Sequence, residues 1–140
     1  HQWQWARENG FATITWSFDP LVRRNAWFNM VKLGASVTHY YKNFYGELDD
    51  GINAGEQSDR VLVRWQVLAT AEPQSHDVVA EREGDIVIAT PSDIELIRKT
   101  NKAEAQTWRA RQRAVFEEAI ASGFSVRGLN AEYSYVLSRS

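Results

Sequence analysis

The chain has 140 residues, of which 44% are hydrophobic and 24% are charged, and its formal net charge is −2. This length fits one domain or part of a larger protein, and the apolar content excludes an unfolded, purely polar chain. The slightly acidic balance is unlike the strongly basic surface of a nucleic-acid-binding protein, so we predict no nucleic-acid partner.

Cysteine is absent, which excludes disulfides and thiolate chemistry. The three histidines, His1, His39 and His76, have no metal-ligand spacing, and we predict no metal site. No apolar run reaches the roughly 18 residues of a membrane span. We therefore predict no membrane association and a cytoplasmic location.

The first half of the chain alternates strands with one short helix. A β-branched and aromatic run predicts a buried strand over 11–18, which Pro20 ends. The spacing of Ala26, Met30 and Leu33 predicts a helix over 23–33, capped by Gly34. Strands are predicted over 35–41 and 60–69. The acidic, glycine-bearing stretch between them, 46–59, predicts a long loop of the kind that often carries function.

The second half begins after a polar connector, 71–83. A short apolar strand is predicted over 85–89, and Pro91-Ser92-Asp93 predicts the start of a helix that runs to about residue 99. Asn101 and Glu104 resemble a capping box and predict a long helix to residue 122. Two closing strands follow, over 124–128 and 132–137. The order β-α-β-β followed by β-α-α-β-β predicts an α+β fold with α/β-like layers.

The apolar spacing of the long helix predicts which of its sides is buried. The side predicted to be buried carries Trp108, Val115, Phe116, Ala119 and Ile120. The arginines at 109, 111 and 113 are interleaved with apolar residues, and a solvated face is the interpretation that this pattern favours.

One run of residues resembles a known family. Residues 16–35 read W-S-F-D-P-L-V-R-R-N-A-W-F-N-M-V-K-L-G-A, and the pattern continues through Tyr45-Gly46, the Gly-Ile-Asn-Ala-Gly loop at 51–55 and Ser58-Asp59-Arg60. This sequence resembles the GNAT-like "predicted acetyltransferase" family of the acyl-CoA-dependent GNAT superfamily. The resemblance is specific over 11–68 and weaker over 84–137.

The resemblance implies the C-terminal half of a GNAT fold, with a mixed, mostly antiparallel sheet flanked by helices and a β-α-α-β-β extension. The implied division is 1–70 for the acyl-CoA-binding part, 71–83 for the connector and 84–140 for the extension packed on it. An N-terminal half with the loop that binds the CoA pyrophosphate is expected to precede His1 as a partner of this chain. Without it we expect the chain alone to be inactive, and a homodimer is an open alternative.

The resemblance also implies a cosubstrate, acetyl-CoA, and a small-molecule or peptide amine as acceptor. The strand and helix around residues 19–29 would form one wall of the cofactor cleft, and the residues assigned to it are Asp19, Arg23, Arg24, Asn25 and Asn29. A helix N-terminus after a strand offers N–H groups and partial positive charge to phosphates, and arginine suits them too. The alternative is that the arginines are solvated and Asn25 is a helix cap.

The tyrosine that acts as general acid in many GNAT enzymes aligns with Met30, so a replacement is needed. Tyr41 and Tyr45 are the candidates, because a phenol can donate a proton to a departing thiolate. The residues assigned to acceptor binding are Asp50, Asn53, Ser58 and Asp59. The alternatives are packed tyrosines, a solvated loop, and a simple Asp59–Arg60 pair. At the level of the whole protein, the alternative is a non-catalytic ligand-binding or interaction module on a GNAT-derived scaffold.

Overall fold

Six strands, three α-helices and one π-helical turn form the part of the chain that the computed structural model describes, residues 13–43, 58–66 and 77–139. In chain order these are β1 (Thr13–Phe18), α1 (Arg23–Trp27), the π-helical turn (Phe28–Lys32), β2 (Ser36–Tyr41), β3 (Arg60–Gln66), β4 (Ile86–Ile88), α2 (Ile94–Thr100), α3 (Lys102–Ala121), β5 (Phe124–Leu129) and β6 (Tyr135–Arg139).

The strands form two three-stranded sheets, with orders β1-β3-β2 and β4-β6-β5. The α+β class and the predicted order of elements are confirmed. Every strand pair within the described residues is antiparallel. Each sheet inserts its last strand between the two earlier ones, so residues far apart in sequence become neighbours.

The predicted helix over 23–33 is an α-helix of five residues followed by a wider turn. The N–H of Leu33 donates to the carbonyl of Phe28 at 2.9 Å, five residues back, which is the π-helical pattern. The turn places Asn29 inside, where its Oδ1 accepts from the Trp16 indole and its amide donates to the Asn25 carbonyl, both at 2.8 Å. A buried amide needs such partners.

One hydrophobic core joins the first sheet, α1, α3 and the second sheet. The Phe116 ring from α3 lies 4.9 Å from the ring of Tyr40 on β2 and 5.3 Å from that of Tyr135 on β6. The segments before and after the connector therefore share a core. Tyr135 also donates from its hydroxyl to the Pro20 carbonyl at 2.8 Å, which ties β6 to the end of β1.

The predicted buried side of α3 is partly wrong. Val115 and Ile120 are 38% and 42% exposed. The buried positions are spaced as one helical stripe and consist of Ala105, Arg109, Gln112, Phe116 and Ala119. Two of the five are polar, so counting apolar residues selected a stripe rotated from the true one.

A buried polar cluster holds the second sheet together at the start of β4. Asp85 accepts from the backbone N–H of Arg82, from the Ser138 hydroxyl and from the Arg127 guanidinium, at 2.8–2.9 Å. These hydrogen bonds, led by the backbone one, lower the pKa of Asp85 to about 2, against the opposing effect of its desolvation.

This cluster gives the first prediction. We expect the Asp85 carboxyl to titrate near pH 2. A pH titration that records its carboxyl ¹³C chemical shift measures this pKa. Because its folded pKa lies below the unfolded value, its stabilising effect is complete above about pH 4 and is lost as the pH falls toward 2. Ser138→Ala should raise the midpoint of the Asp85 titration, because it removes one hydrogen-bond donor to that carboxylate. An unchanged midpoint in that variant would contradict the assignment of this hydrogen bond.

Candidate functional site

Asp19, the first of the predicted cofactor-binding residues, lies between β1 and α1. Asp19 accepts from the N–H of Leu21 at 2.9 Å and forms ion pairs with two arginines of the C-terminal helices. Arg98 of α2 lies 2.7 Å away, and Arg109 of α3 donates to both carboxylate oxygens at 3.0 Å. Asp19 therefore ties both helices to the end of β1.

The prediction of a solvated arginine face on α3 is correspondingly wrong for two of its three members. Arg109 is only 3% exposed and pairs with Asp19. Arg113 pairs with Asp59. Arg111 is exposed, as predicted. The carboxylates come from distant parts of the sequence, which a local charge pattern does not reveal.

Arg23 and Arg24 begin α1 and have different surroundings. Arg23 donates to the Thr90 side chain at 3.1 Å and its carbonyl at 2.5 Å, and its guanidinium lies 5.1 Å from the centre of the Tyr133 ring. Arg24 is 69% exposed in its side chain and pairs with Glu95. An exposed pair of this kind contributes only about 0–1 kcal/mol, so Arg24 can exchange Glu95 for another anion at little cost.

Asn25 and Asn29 are linked by a hydrogen bond one turn apart. The interpretation of Asn25 as a helix cap is wrong, because Val22 occupies the N-cap position. Asn25 instead offers its carbonyl to the Asn29 amide. Asn29 is buried, and it links α1 to Trp16 on β1.

Asp59, the residue before β3, accepts hydrogen bonds at both of its carboxylate oxygens. It is fully buried. Arg113 donates two hydrogen bonds to it, from Nη2 to Oδ1 at 2.5 Å and from Nε to Oδ2 at 2.8 Å. The Tyr40 hydroxyl donates to Oδ2 at 2.5 Å and the Asn43 N–H donates to Oδ1 at 2.8 Å. Each carboxylate oxygen thus accepts two hydrogen bonds.

The pKa values of this cluster follow from burial and from these contacts. Burial alone would raise the pKa of Asp59, but the hydrogen bonds from Arg113, Tyr40 and the Asn43 N–H, with the nearby Arg109 charge, outweigh it and lower that pKa. Burial, then the hydrogen bond to Asp59, raises the pKa of Tyr40 far above its usual range. Tyr40 therefore stays protonated, and Asp59 stays ionised.

The alternative pairing of Asp59 with Arg60 is wrong. Arg60 instead reaches across to β1, where its Nε donates to the Ser17 hydroxyl at 3.2 Å and its Nη2 to the Ser17 carbonyl at 2.8 Å. Asp59 joins β2, β3 and α3 at the two ends of the predicted acidic loop. To bind an acceptor directly, Asp59 would have to release bonds that hold the fold.

The remaining predicted residues are only partly within the described chain. Tyr45, Asp50 and Asn53 lie outside the described residues. Ser58 is half-buried beside Asp59. Tyr41 is 40% exposed at the end of β2, and its ring stacks on that of His39 with centroids 5.7 Å apart.

Two further features were not predicted from the sequence. Within the described residues β1 pairs with β3 on one side and with no strand on the other. A cavity of about 420 Å³ also opens between the start of β2 and β5, and its lining is about equally polar and apolar and includes Met30, Val37, Asp77 and Arg127. It lies where β5 bulges between Val126 and Gly128, a register shift that the sequence does not reveal.

Comparison with protein-family models, with curated proteins and with solved structures finds no match to this chain. No helix in the described ranges is long and apolar enough to cross a membrane. Within those same ranges no three His, Asp or Glu side chains come together as a metal site.

Proposed function

We propose that this chain forms part of an acyl-CoA-dependent N-acyltransferase that passes an acetyl or related acyl group from CoA to an amine. The observation that carries the proposal is the junction of β1 and α1. A strand with one edge unpaired among the described residues runs directly into a helix whose first turn carries Arg23 and Arg24. The resemblance of residues 16–35 to acetyltransferases supports the same assignment.

The edge of β1 that pairs with no other described strand suits the pantetheine arm of CoA. That arm contains two amides, and an amide chain can add to a strand edge through main-chain hydrogen bonds as a peptide does. Arg24 stands beyond the end of the strand with its charge mostly in solvent, where a phosphate can reach it. Strand edge and arginine together match a ligand that is amide-rich at one end and anionic at the other.

The proposed reaction is direct acyl transfer. The amine nitrogen of the acceptor attacks the thioester carbonyl, and the tetrahedral intermediate collapses with loss of the CoA thiolate. A base removes a proton from the attacking nitrogen, breaking its N–H bond, and a tyrosine hydroxyl gives its proton to the thiolate and regains one from solvent. The products are an amide and free CoA.

Two adjacent tyrosines of β2, Tyr40 and Tyr41, differ in burial and in hydrogen bonding. Tyr40 is held by Asp59 and stacks on Phe116, so its hydroxyl is committed to the core. Tyr41 is on the opposite side of β2 and is partly exposed. Of the two, Tyr41 is the tyrosine that an acyl-CoA outside the sheet can meet, and it keeps its proposed role as general acid.

A non-catalytic binding module is the second candidate function. It is favoured by a specific observation: Asp19, Arg23 and Asn29, three of the residues assigned to the cofactor, all make hydrogen bonds within the fold. A wall fixed in this way can bind a ligand without any group left to take part in chemistry. Acyl-CoA binding with no transfer to any amine would favour this second function.

The proposed cofactor wall is tested by comparing the Kd for acetyl-CoA of the wild type with that of matched variants. Arg24→Gln should raise the Kd, measured by NMR titration, roughly 5–30-fold, because a charge-assisted hydrogen bond contributes about 1–2 kcal/mol beyond the surface pair it replaces. Glu95→Gln should lower the Kd, since it releases Arg24 from its present partner.

The control is Arg111→Gln, which removes the same charge from an exposed position on α3. It should leave the Kd unchanged. If all three variants bind acetyl-CoA equally, or if the folded protein does not bind it, the proposed cofactor wall is wrong.

A further inference from the structure

The three strands of the first sheet place positive charge and hydroxyl groups, but no carboxylate, on its outer face. β1, β2 and β3 together contain two arginines and one histidine, and neither aspartate nor glutamate occurs in any of the three strands. Since residues paired across antiparallel strands share a face, the register assigns the members of this outer face: Thr15, Arg64 and Ser36 in one row, Ser17, Leu62 and His39 in the next, and Arg60 with Tyr41 in the last.

This face is separate from the core. Val61 and Val63 alternate with its β3 members and are fully buried on the opposite side. Arg64, His39 and Tyr41 are exposed. The usual alternation of a half-buried sheet explains the exposure, but it does not explain why the charged side chains that the three strands place on this face are all basic.

Several groups on the face are held in position. Arg60 is fixed across the sheet by its two hydrogen bonds to Ser17. His39 and Tyr41 stack with their ring planes 17° apart. The register of β2 shifts between Val37 and His39, and bulges of this kind are common beside functional sites because they re-aim side chains.

Arg64 supplies the cation that a ligand can reach. It is exposed, and the hydroxyl residues Thr15 and Ser36 lie directly opposite it on the two neighbouring strands. Cross-strand neighbours are about 5 Å apart, so a guanidinium and two hydroxyls can meet one small group of oxygens. An arginine fork suits the paired oxygens of a carboxylate or phosphate.

From this charge complementarity we infer that the outer face of the first sheet binds an anionic group, carboxylate or phosphate, through Arg64 and the hydroxyls beside it. Because Tyr41 lies on the same face, we assign the anion to the acceptor, an assignment that rests on the proposed acyl transfer. The acceptor would then carry both an amine and an anionic group, as an amino acid does.

Inorganic phosphate and acetate are the probes for the test, titrated into the protein while backbone amide shifts are recorded. We expect saturable shifts in residues 36–41 and 60–64. Arg64→Gln should weaken binding at least about 5-fold, as loss of a charge-assisted contact requires, while the matched control Arg111→Gln should bind as the wild type does. The inference would be overturned if the shifts persist unchanged in Arg64→Gln. It would also be overturned if Arg64→Gln and Arg111→Gln weaken anion binding equally.

A second titration in the presence of acetyl-CoA separates this inference from the proposed function. Anion binding that survives saturation with acetyl-CoA supports the acceptor assignment. Displacement of the anion by acetyl-CoA would overturn it, because the face would then belong to the cosubstrate. If acetyl-CoA fails to bind while the Arg64-dependent anion site persists, the acyltransferase proposal fails and the anion site stands without it.

Discussion

Arg113→Met is expected to lower the free energy of unfolding by about 3–5 kcal/mol, the usual cost of removing one partner from a buried ion pair. Asp59 would remain fully buried with its charge, and the Tyr40 hydroxyl and the Asn43 N–H would be its remaining donors. Methionine keeps much of the arginine's apolar stem, so the effect reports the charge. Urea denaturation of both proteins measures it.

Arg111→Met is the matched control and should change stability by less than about 0.5 kcal/mol, because its side chain is exposed on the same helix. The pH dependence provides a second check. Since the folded pKa of Asp59 lies below the ordinary value of 3.8, its stabilising effect is complete above that value and is lost as the pH falls through the folded pKa. Arg113→Met should make acid unfolding less steep. Equal stability of the two methionine variants would contradict this account of Asp59.

Asp19→Ala is the second change with a large expected effect. It leaves Arg109 buried without its carboxylate and removes the tie to Arg98, and we expect a loss of about 3–5 kcal/mol. Glu118→Ala, an exposed acidic residue on the same helix as Arg109, should be nearly neutral. Thermal and urea unfolding measure both.

A double variant separates the ion pair from other consequences of the Asp19 change. Asp19→Ala with Arg109→Met removes both charges, so it should be more stable than the sum of the two single changes predicts, by roughly 1–3 kcal/mol. Additive single effects would show that Asp19 and Arg109 do not depend on each other. In that case the link between β1 and α3 would rest on packing alone.

Local signals predicted the elements of this fold well. The cap at Asn101, whose side chain accepts from the Glu104 N–H, could be read directly from the sequence because the interaction spans three residues. Gly123, with a φ of 90°, ends α3 at its predicted position. Strand alternation likewise placed β1 and β3 inside their predicted ranges, although the prediction of a buried β1 is wrong for all of its described residues except Phe18.

Long-range polar contacts were the part that the sequence did not reveal. Arg109 and Asp19 are 90 residues apart, and Arg113 and Asp59 are 54 apart. The buried side of a helix is predicted from the spacing of its apolar residues, so a buried arginine that pairs with a distant carboxylate is predicted to be solvated. The π-helical turn was missed for a related reason, because the inward position of Asn29 depends on Trp16 from the preceding strand.

The sequence predicted where the candidate site lies along the chain, but not the hydrogen-bond partners of its polar side chains. The run from Asp19 to Asn29 does lie at the end of a strand, yet most of its polar groups bind within the fold. Only Arg24 has a partner weak enough to exchange. The basic outer face was missed because each strand was read separately, whereas Arg64, Thr15 and Ser36 become neighbours only through the order β1-β3-β2.

The binding site of acetyl-CoA is the most direct test of the central claim, that β1 and the start of α1 form a wall for acyl-CoA. Backbone amide shifts mapped during a titration of the 140-residue chain with acetyl-CoA provide the measurement. We predict shifts in residues 13–18 and 21–25 and at Tyr41, the proposed general acid. A folded protein that shows no shifts, or shows them only around the cavity between β2 and β5, would contradict the claim.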